Sequence, residues 1–300
     1  MKVMVIRHGA LGDIVLSMPA FAAIRAHHGG AAISLLTTAP FAGFLAQAPW
    51  FDTVIIDEKP APWDFAGLVL LRRRLAGFDM VYDLQTSSRS SRYFRLAGRP
   101  EWSGIARGAR FFHGNPGRNR LHTRERIAEQ LAIAGIAPLP APDLSWLRRV
   151  PPPRALPEAF AALIPGAAPH RPEKRWPAAR FGALAAQLPM PAVIFGTEAE
   201  RPLADEIRRV APGVIDMTGR TDIAQLAACL DRATIVIGND TGPVHLAAAL
   251  GVRCIVLFGG ASDPVLTAPR MPDGAWPTII RVSDLSELAV SPVAAAVGKV

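Results

Sequence analysis

The sequence is poor in the residues that would anchor it or cross-link it. It has two cysteines in 300 residues and no apolar run near the roughly 18 to 20 residues needed to span a bilayer. Cys229 and Cys254 fall in apolar helix and strand patterns, which predicts buried, reduced thiols and no disulfide framework. The opening MKVMVIRHG is apolar over too short a stretch to be a secretory signal before Arg7 and His8 interrupt it, so a cytoplasmic location is expected. The dinucleotide fingerprint G-x-G-x-x-G is missing from the first turn. Gly9 and Gly12 supply only G-x-x-G, which argues against a nicotinamide enzyme.

Acidic charge is scarce in the first half alone. Residues 1–150 hold 19 Lys and Arg against 11 Asp and Glu, whereas residues 151–300 hold 14 of each, so the whole net charge of +8 lies in the first half. Most of the excess runs from Arg72 to Arg126, where every cation is arginine and only Asp79, Asp83, Glu101 and Glu125 oppose it. Arginine binds phosphate and carboxylate through a planar fork. The stretch reads either as a solvated face or as a surface for an anionic partner. A nucleic-acid binder would interleave aromatics with its cations, and Tyr93, Phe94, Trp102, Phe111 and Phe112 offer some, but no nucleic-acid partner is expected.

What is present is alternation. Apolar β-branched runs at residues 2–6, 32–37, 54–56 and 80–83 predict strands, and residues 14–27, 41–48, 67–75 and 125–134 predict helices. A proline cluster, Val150-Pro151-Pro152-Pro153-Arg154 with Pro157 behind it, cannot continue regular structure, and a domain boundary is expected there. The alternation then restarts. Strands are expected at 161–164, 192–195, 214–216, 235–237, 254–258 and 278–282. Helices are expected at 178–187, 201–210, 223–231, 244–250 and 292–297. This predicts an α/β chain of two parallel-sheet domains, 1–150 and 151–300, with ligands at the carboxyl ends of the strands.

Three segments carry chemistry. Arg7-His8-Gly9-Ala10-Leu11-Gly12-Asp13 is a glycine-containing turn ending in a carboxylate; Asp13 reads either as a helix cap or as a general base. Pro165-Gly166-Ala167 ends a strand ahead of the cationic loop Glu173-Lys174-Arg175-Trp176-Pro177. Gly238-Asn239-Asp240-Thr241-Gly242-Pro243 joins a strand to an Ala/Leu-rich helix, where free N–H groups and partial positive charge suit phosphate. His245, one turn in, reads either as a core residue or as a ligand.

Together these segments resemble the ADP-heptose:lipopolysaccharide heptosyltransferases of glycosyltransferase family 9. VIRHGALGDIVLSMPAFAAIR resembles the family's opening strand, turn and helix. IPGAAPHRPEKRWPAARFGALAAQL resembles its K-x-W-P block, FGTEAER its strand-then-Glu block, and GNDTGPVHLAAALGVRCIVLFG its most specific signature. His8 and Gly9 stand where the family often has Ser or Thr. The resemblance implies a GT-B fold, two Rossmann-like domains facing a cleft. It implies an acceptor-binding domain at 1–150 and a nucleotide-sugar domain at 151–300, with the last helix able to pack back on the first. The implied reaction is inverting heptose transfer from ADP-heptose to the lipid A–Kdo core, or transfer from another nucleotide sugar or to another glycan.

The resemblance further implies Asp13 as the base, Lys174 at the diphosphate, and Glu200 (or Glu198) at the donor ribose. Asp240, Thr241, Gly242 and His245 would surround the donor's phosphates and sugar. Arg92, Arg95 and Arg99, within the basic stretch, are assigned to the anionic acceptor and to the inner face of the inner membrane. The sequence has no Asp-x-Asp pair, so neither a metal nor a cofactor is expected.

Overall fold

A computed structural model describes residues 1–153 and 156–298; Arg154 of the expected linker lies outside them. The chain divides into two compact units, Met1–Asp143 and Leu144–Val300. The division precedes the proline cluster. Trp146 and Leu147, in a 3-10 turn at Ser145–Arg149, are buried in the second unit against its helix at Ile223–Leu230, where Arg148 grips Asp231 with two nitrogens. Burial of these apolar side chains sets the division at 143/144 rather than at 150.

The first unit runs β1 (Lys2–Ile6), α1 (Leu11–His27), β2 (Ala32–Thr37), α2 (Ala39–Leu45), β3 (Thr53–Ile56), α3 (Phe65–Leu75), β4 (Met80–Asp83), α4 (Ser88–Leu96), β5 (Glu101–Gly104), β6 (Phe111–Phe112) and α5 (Thr123–Ile133). Its strands pair in parallel in the order β3-β2-β1-β4-β5-β6. Both faces of β1 are covered, so Val3 to Ile6 are fully buried and read as one apolar run. Met4, Ile6, Val81, Tyr93, Phe94 and Trp102 share one core cluster.

The second unit runs β7 (Ala161–Ile164), α6 (Ala178–Ala185), β8 (Ala192–Ile194), α7 (Arg201–Val210), β9 (Ile215–Asp216), α8 (Ile223–Leu230), β10 (Ile235–Asn239), α9 (Gly242–Ala249), β11 (Cys254–Phe258), α10 (Pro264–Thr267), β12 (Thr278–Arg281) and α11 (Val290–Gly298). Its parallel order is β12-β11-β10-β7-β8-β9, the same winding as in the first unit. The last helix is bound into its own unit: it packs on α6 and β11, and Val293 and Val297 join the core of that unit. Cys229 and Cys254 are buried free thiols, as expected.

Each sheet reverses its winding between its first and fourth strands, β1/β4 and β7/β10. Crevices at the carboxyl ends of such neighbouring strands are where ligands bind in doubly wound sheets.

Candidate functional site

At the β1/β4 edge, Arg7 ends its strand almost wholly buried. Its Nη1 donates to the Leu84 carbonyl at 2.6 Å, and its Nη2 lies 3.1 Å from the Asp13 carbonyl and 3.0 Å from Asp13 Oδ1. Burial pulls the Arg7 guanidinium below its ordinary pKa, and Asp13 opposes that pull. Asp13 is not the cap residue of α1, since the extended residue before the helix is Ala10. Asp13 sits in the first turn, where its Oδ2 accepts the Ala10 N–H at 3.2 Å. Its side chain is 43% exposed, so one carboxylate oxygen is fixed by a cation and the group still reaches solvent.

The turn before it is held from two sides. His8 N–H donates to Gln85 Oε1 at 2.9 Å, and Thr38 donates to the His8 carbonyl at 2.7 Å. His8 Nε2 meets buried Asp57 at 2.9 Å, and the Tyr93 hydroxyl donates to the same carboxylate oxygen at 2.8 Å. Burial alone would raise the Asp57 pKa, but these partners and the Lys59 N–H outweigh it and hold it below the usual range. Gly9 takes a positive φ of 124°, and a Cβ there would collide with the Phe41 ring.

The structure does not bring Arg99 to this edge. α4 starts at the carboxyl end of β4 and runs back, and Arg99 leads into Glu101, which pairs with Met80, the first residue of β4. Arg99 therefore lies at the opposite edge of the sheet. Besides Arg7, the cation that acts on Asp13 is Arg126, and Arg118 lies next to Arg126. Arg118 donates to Thr86 Oγ1 at 3.0 Å, and Arg126, on α5, acts electrostatically on Asp13, Arg7 and Arg118. Neither was singled out above from the long arginine stretch.

Asp83, at the end of β4, is fully buried. Burial pushes its pKa up to about 6, and the Thr86 N–H and Ser90 hydroxyl pull it only part of the way back. Its folded pKa thus exceeds the unfolded value, so its carboxylate opposes folding once ionised. The penalty is absent below about pH 4, grows as pH rises to about 6, and reaches roughly 3 kcal/mol at neutrality. Asp83→Asn keeps the acceptor oxygen and removes the charge. By urea unfolding, the variant should gain on the wild type by about that amount between pH 4 and pH 7. A stability difference independent of pH would contradict the assignment.

At the β7/β10 edge, Lys174 Nζ and Asp240 Oδ2 are 2.5 Å apart, with both side chains largely buried. His245 Nε2 lies 3.4 Å from Asp240 Oδ1, so one carboxylate holds both cation-forming groups. His245 is accordingly a partner in the site and not a bystander of the core. Burial would raise the Asp240 pKa, but His245 and Lys174 outweigh it and hold the carboxyl at about 2. An ammonium has three donors, and Asp240 uses one of them. Thr241 is the extended residue before α9, and its hydroxyl is not spent on capping the helix. The Gly242 N–H opens the helix without an intrahelical acceptor, and Pro243 has none to offer. The open N–H and hydroxyl donors at the start of α9 are therefore those of Gly242 and Thr241.

Asn239 is the residue the sequence reading passed over. It is fully buried; its Nδ2 donates to the carbonyls of Pro165 at 2.8 Å and Gly166 at 3.3 Å, and its Oδ1 accepts the Trp176 N–H at 3.0 Å. This one side chain ties the β7 turn and the Lys174 loop to the Asp240 turn. A polar residue closing an apolar strand was the available signal. Glu200 and Glu198 separate clearly. The Glu200 carboxylate lies against Gly166 and Gly196, where a Cβ on either glycine would crowd it, and accepts the Thr197 N–H at 2.7 Å. Glu198 is exposed and engaged by two nitrogens of Arg201, over Gly219 and away from the β7 turn.

The profile of glycosyltransferase family 9 (heptosyltransferase) matches residues 69–281, which include the Lys174 loop, Glu200 and the Asp240 turn. The chain belongs to this family. A lipopolysaccharide heptosyltransferase 2 of Escherichia coli K12 is 24% identical over 90% of this chain and 85% of its own length. A lipooligosaccharide heptosyltransferase 2 of Haemophilus influenzae is 33% identical over a segment covering 37% of this chain and 33% of that protein. Among solved structures, the E. coli ADP-heptose heptosyltransferase II superposes with a TM-score of 0.77 at 22% identity, covering 99% of this chain and 98% of that one. An E. coli heptosyltransferase with ADP bound gives 0.79 at 20% identity, covering 100% and 99%. The family member is thus a glycosyltransferase with the α/β, GT-B type fold.

Proposed function

We propose that the protein transfers a heptosyl group from ADP-heptose to the inner core of lipopolysaccharide, with inversion and without a metal. The observation that carries this reading is the Lys174–Asp240–His245 cluster beside the open end of α9, at the point where a doubly wound sheet reverses. Family membership and relatives that act on lipopolysaccharide support the choice of sugar and acceptor.

In this reading Asp13 takes the proton of an acceptor hydroxyl. The acceptor oxygen then attacks the anomeric carbon while the bond from that carbon to the diphosphate oxygen breaks, and ADP leaves with the electron pair. Negative charge grows on the leaving diphosphate. The remaining Lys174 donors, the Gly242 N–H and the Thr241 hydroxyl stabilise it. Asp240, itself an anion, acts by holding Lys174 and His245 in place rather than by touching phosphate. Glu200, its carboxylate at the ends of β7 and β8, accepts hydrogen bonds from the donor ribose. Leaving-group stabilisation is assigned to Lys174.

The first unit binds the acceptor and the second the donor. Arg126, which acts on Asp13, and its neighbour Arg118 receive the acceptor's phosphates and carboxylates. The transfer would take place in the cytoplasm with the enzyme peripheral at the inner membrane. No helix among the described residues is long and apolar enough to cross a membrane.

A ligand that binds only the folded state raises its stability, by about 2.7 kcal/mol at one hundred times its Kd. ADP-heptose should raise the melting temperature, and GDP- and UDP-sugars at the same concentration should not. An equal rise with a UDP-sugar would assign the site to a different donor.

A further inference from the structure

α3 exposes apolar side chains on the side that does not face the core. Leu71 and Leu75 are buried beneath it, and Arg74 Nη1 donates to the Ile56 carbonyl at 2.7 Å, so the helix is fixed to its sheet. At 100° per residue, Arg72, Phe65, Val69, Arg73, Ala66 and Leu70 fall in that order along one arc of about 160°. All six are exposed, Phe65 at 77% and Val69 at 51%. Trp63, two residues before the helix, is 78% exposed. The loop carrying it is tied down at Pro60, whose carbonyl accepts from Arg89 at 3.1 Å. The first two turns of this face are therefore apolar and the third is cationic. The neighbouring α4 adds exposed Arg92 and Arg95. The one acid in this segment, Asp64, is spent capping α3 through the Gly67 N–H.

We propose that this face of α3, with Trp63, docks on an anionic lipid bilayer. Phe65, Val69, Leu70 and Trp63 enter the interfacial region, and Arg72 and Arg73 meet lipid phosphates. Charge complementarity selects this occupant. A second copy of the chain packed symmetrically on the same face would set these arginines against their own copies. A nucleic acid would find phosphate contacts but no use for Val69 and Leu70. The docking surface also gives Arg92 and Arg95 an anionic partner. It rests on the peripheral placement proposed above but is tested apart from the reaction, since binding to vesicles requires neither donor nor acceptor.

The test is co-sedimentation of the purified protein with phosphatidylglycerol/phosphatidylethanolamine vesicles and with phosphatidylcholine vesicles. The wild type should bind the anionic vesicles, more weakly at high salt. F65S/V69S/L70S should weaken this binding about tenfold or more, because affinity scales with the apolar surface inserted. R72S/R73S should weaken it by roughly twenty-five-fold, at about fivefold per arginine, and leave the weak binding to phosphatidylcholine unchanged. All five positions are exposed, so both variants should melt with the wild type and turn over a water-soluble, acyl-free acceptor at its rate. Failure of the wild type to bind anionic vesicles, or wild-type binding by the triple variant, would overturn the proposal. So would a change of sedimentation mass in the triple variant, which would make the face a contact between copies. Loss of transfer with vesicle binding intact would count against the proposed reaction and not against this surface.

Discussion

Asp13→Asn is expected to lower kcat by about a hundredfold to ten-thousandfold, the range over which a positioned general base contributes, with ADP-heptose affinity unchanged. Asparagine keeps the carbonyl oxygen that accepts the Ala10 N–H, so α1 should start where it does now. What it loses is the basic oxygen and the charge that Arg7 steadies from 3.0 Å. A residue that merely braced the first turn would show the reverse pattern, a drop in melting temperature with turnover largely kept. Donor binding by calorimetry and single-turnover kinetics on the same variant separate the two. Near-wild-type turnover would leave Asp13 as a first-turn carboxylate that binds a backbone N–H and nothing more.

Lys174→Met is expected to act twice. Removing one partner of a buried ion pair leaves Asp240 charged with only His245 beside it, which costs up to about 3 to 5 kcal/mol of stability. Losing the cation at the diphosphate should reduce kcat by roughly a hundredfold to a thousandfold. The two effects can be separated, because the stability loss belongs to Asp240. K174M/D240N removes both charges and should recover most of the stability while remaining slow, as residues in contact are not additive. If the double variant recovered turnover together with stability, Lys174 would be a structural partner of Asp240 and the leaving group would need another cation.

Much of the fold was legible because buried parallel strands are continuous apolar runs. β1, β2, β4, β7, β10 and β11 announce themselves in this way. α4 and β5 did not. α4 reads SRSSRYFRL, and only Tyr93, Phe94 and Leu96 give it an apolar face, while β5 is EWSG and depends on one buried tryptophan. Their structure comes from what they pack against. The same holds for the site. Lys174, Asp240, Thr241, Gly242 and His245 lie in segments whose residue types signal phosphate chemistry. The Arg7–Leu84 and Asn239–Pro165 bonds that set the geometry join residues 77 and 74 positions apart, which no local pattern reveals. Arg99 shows the converse: its charge is visible in the sequence, but charge along a chain does not tell which edge of the sheet a residue stands at.

The central claim is heptosyl transfer from ADP-heptose by this chain without a metal. The direct measurement is incubation with ADP-heptose and Kdo-lipid A in EDTA, with mass analysis of the lipid and assay of released ADP. The account predicts a lipid heavier by one heptosyl residue, ADP in equal amount, and neither product with Asp13→Asn. Release of ADP with no modified lipid, or transfer that appears only when a divalent cation is restored, would contradict it.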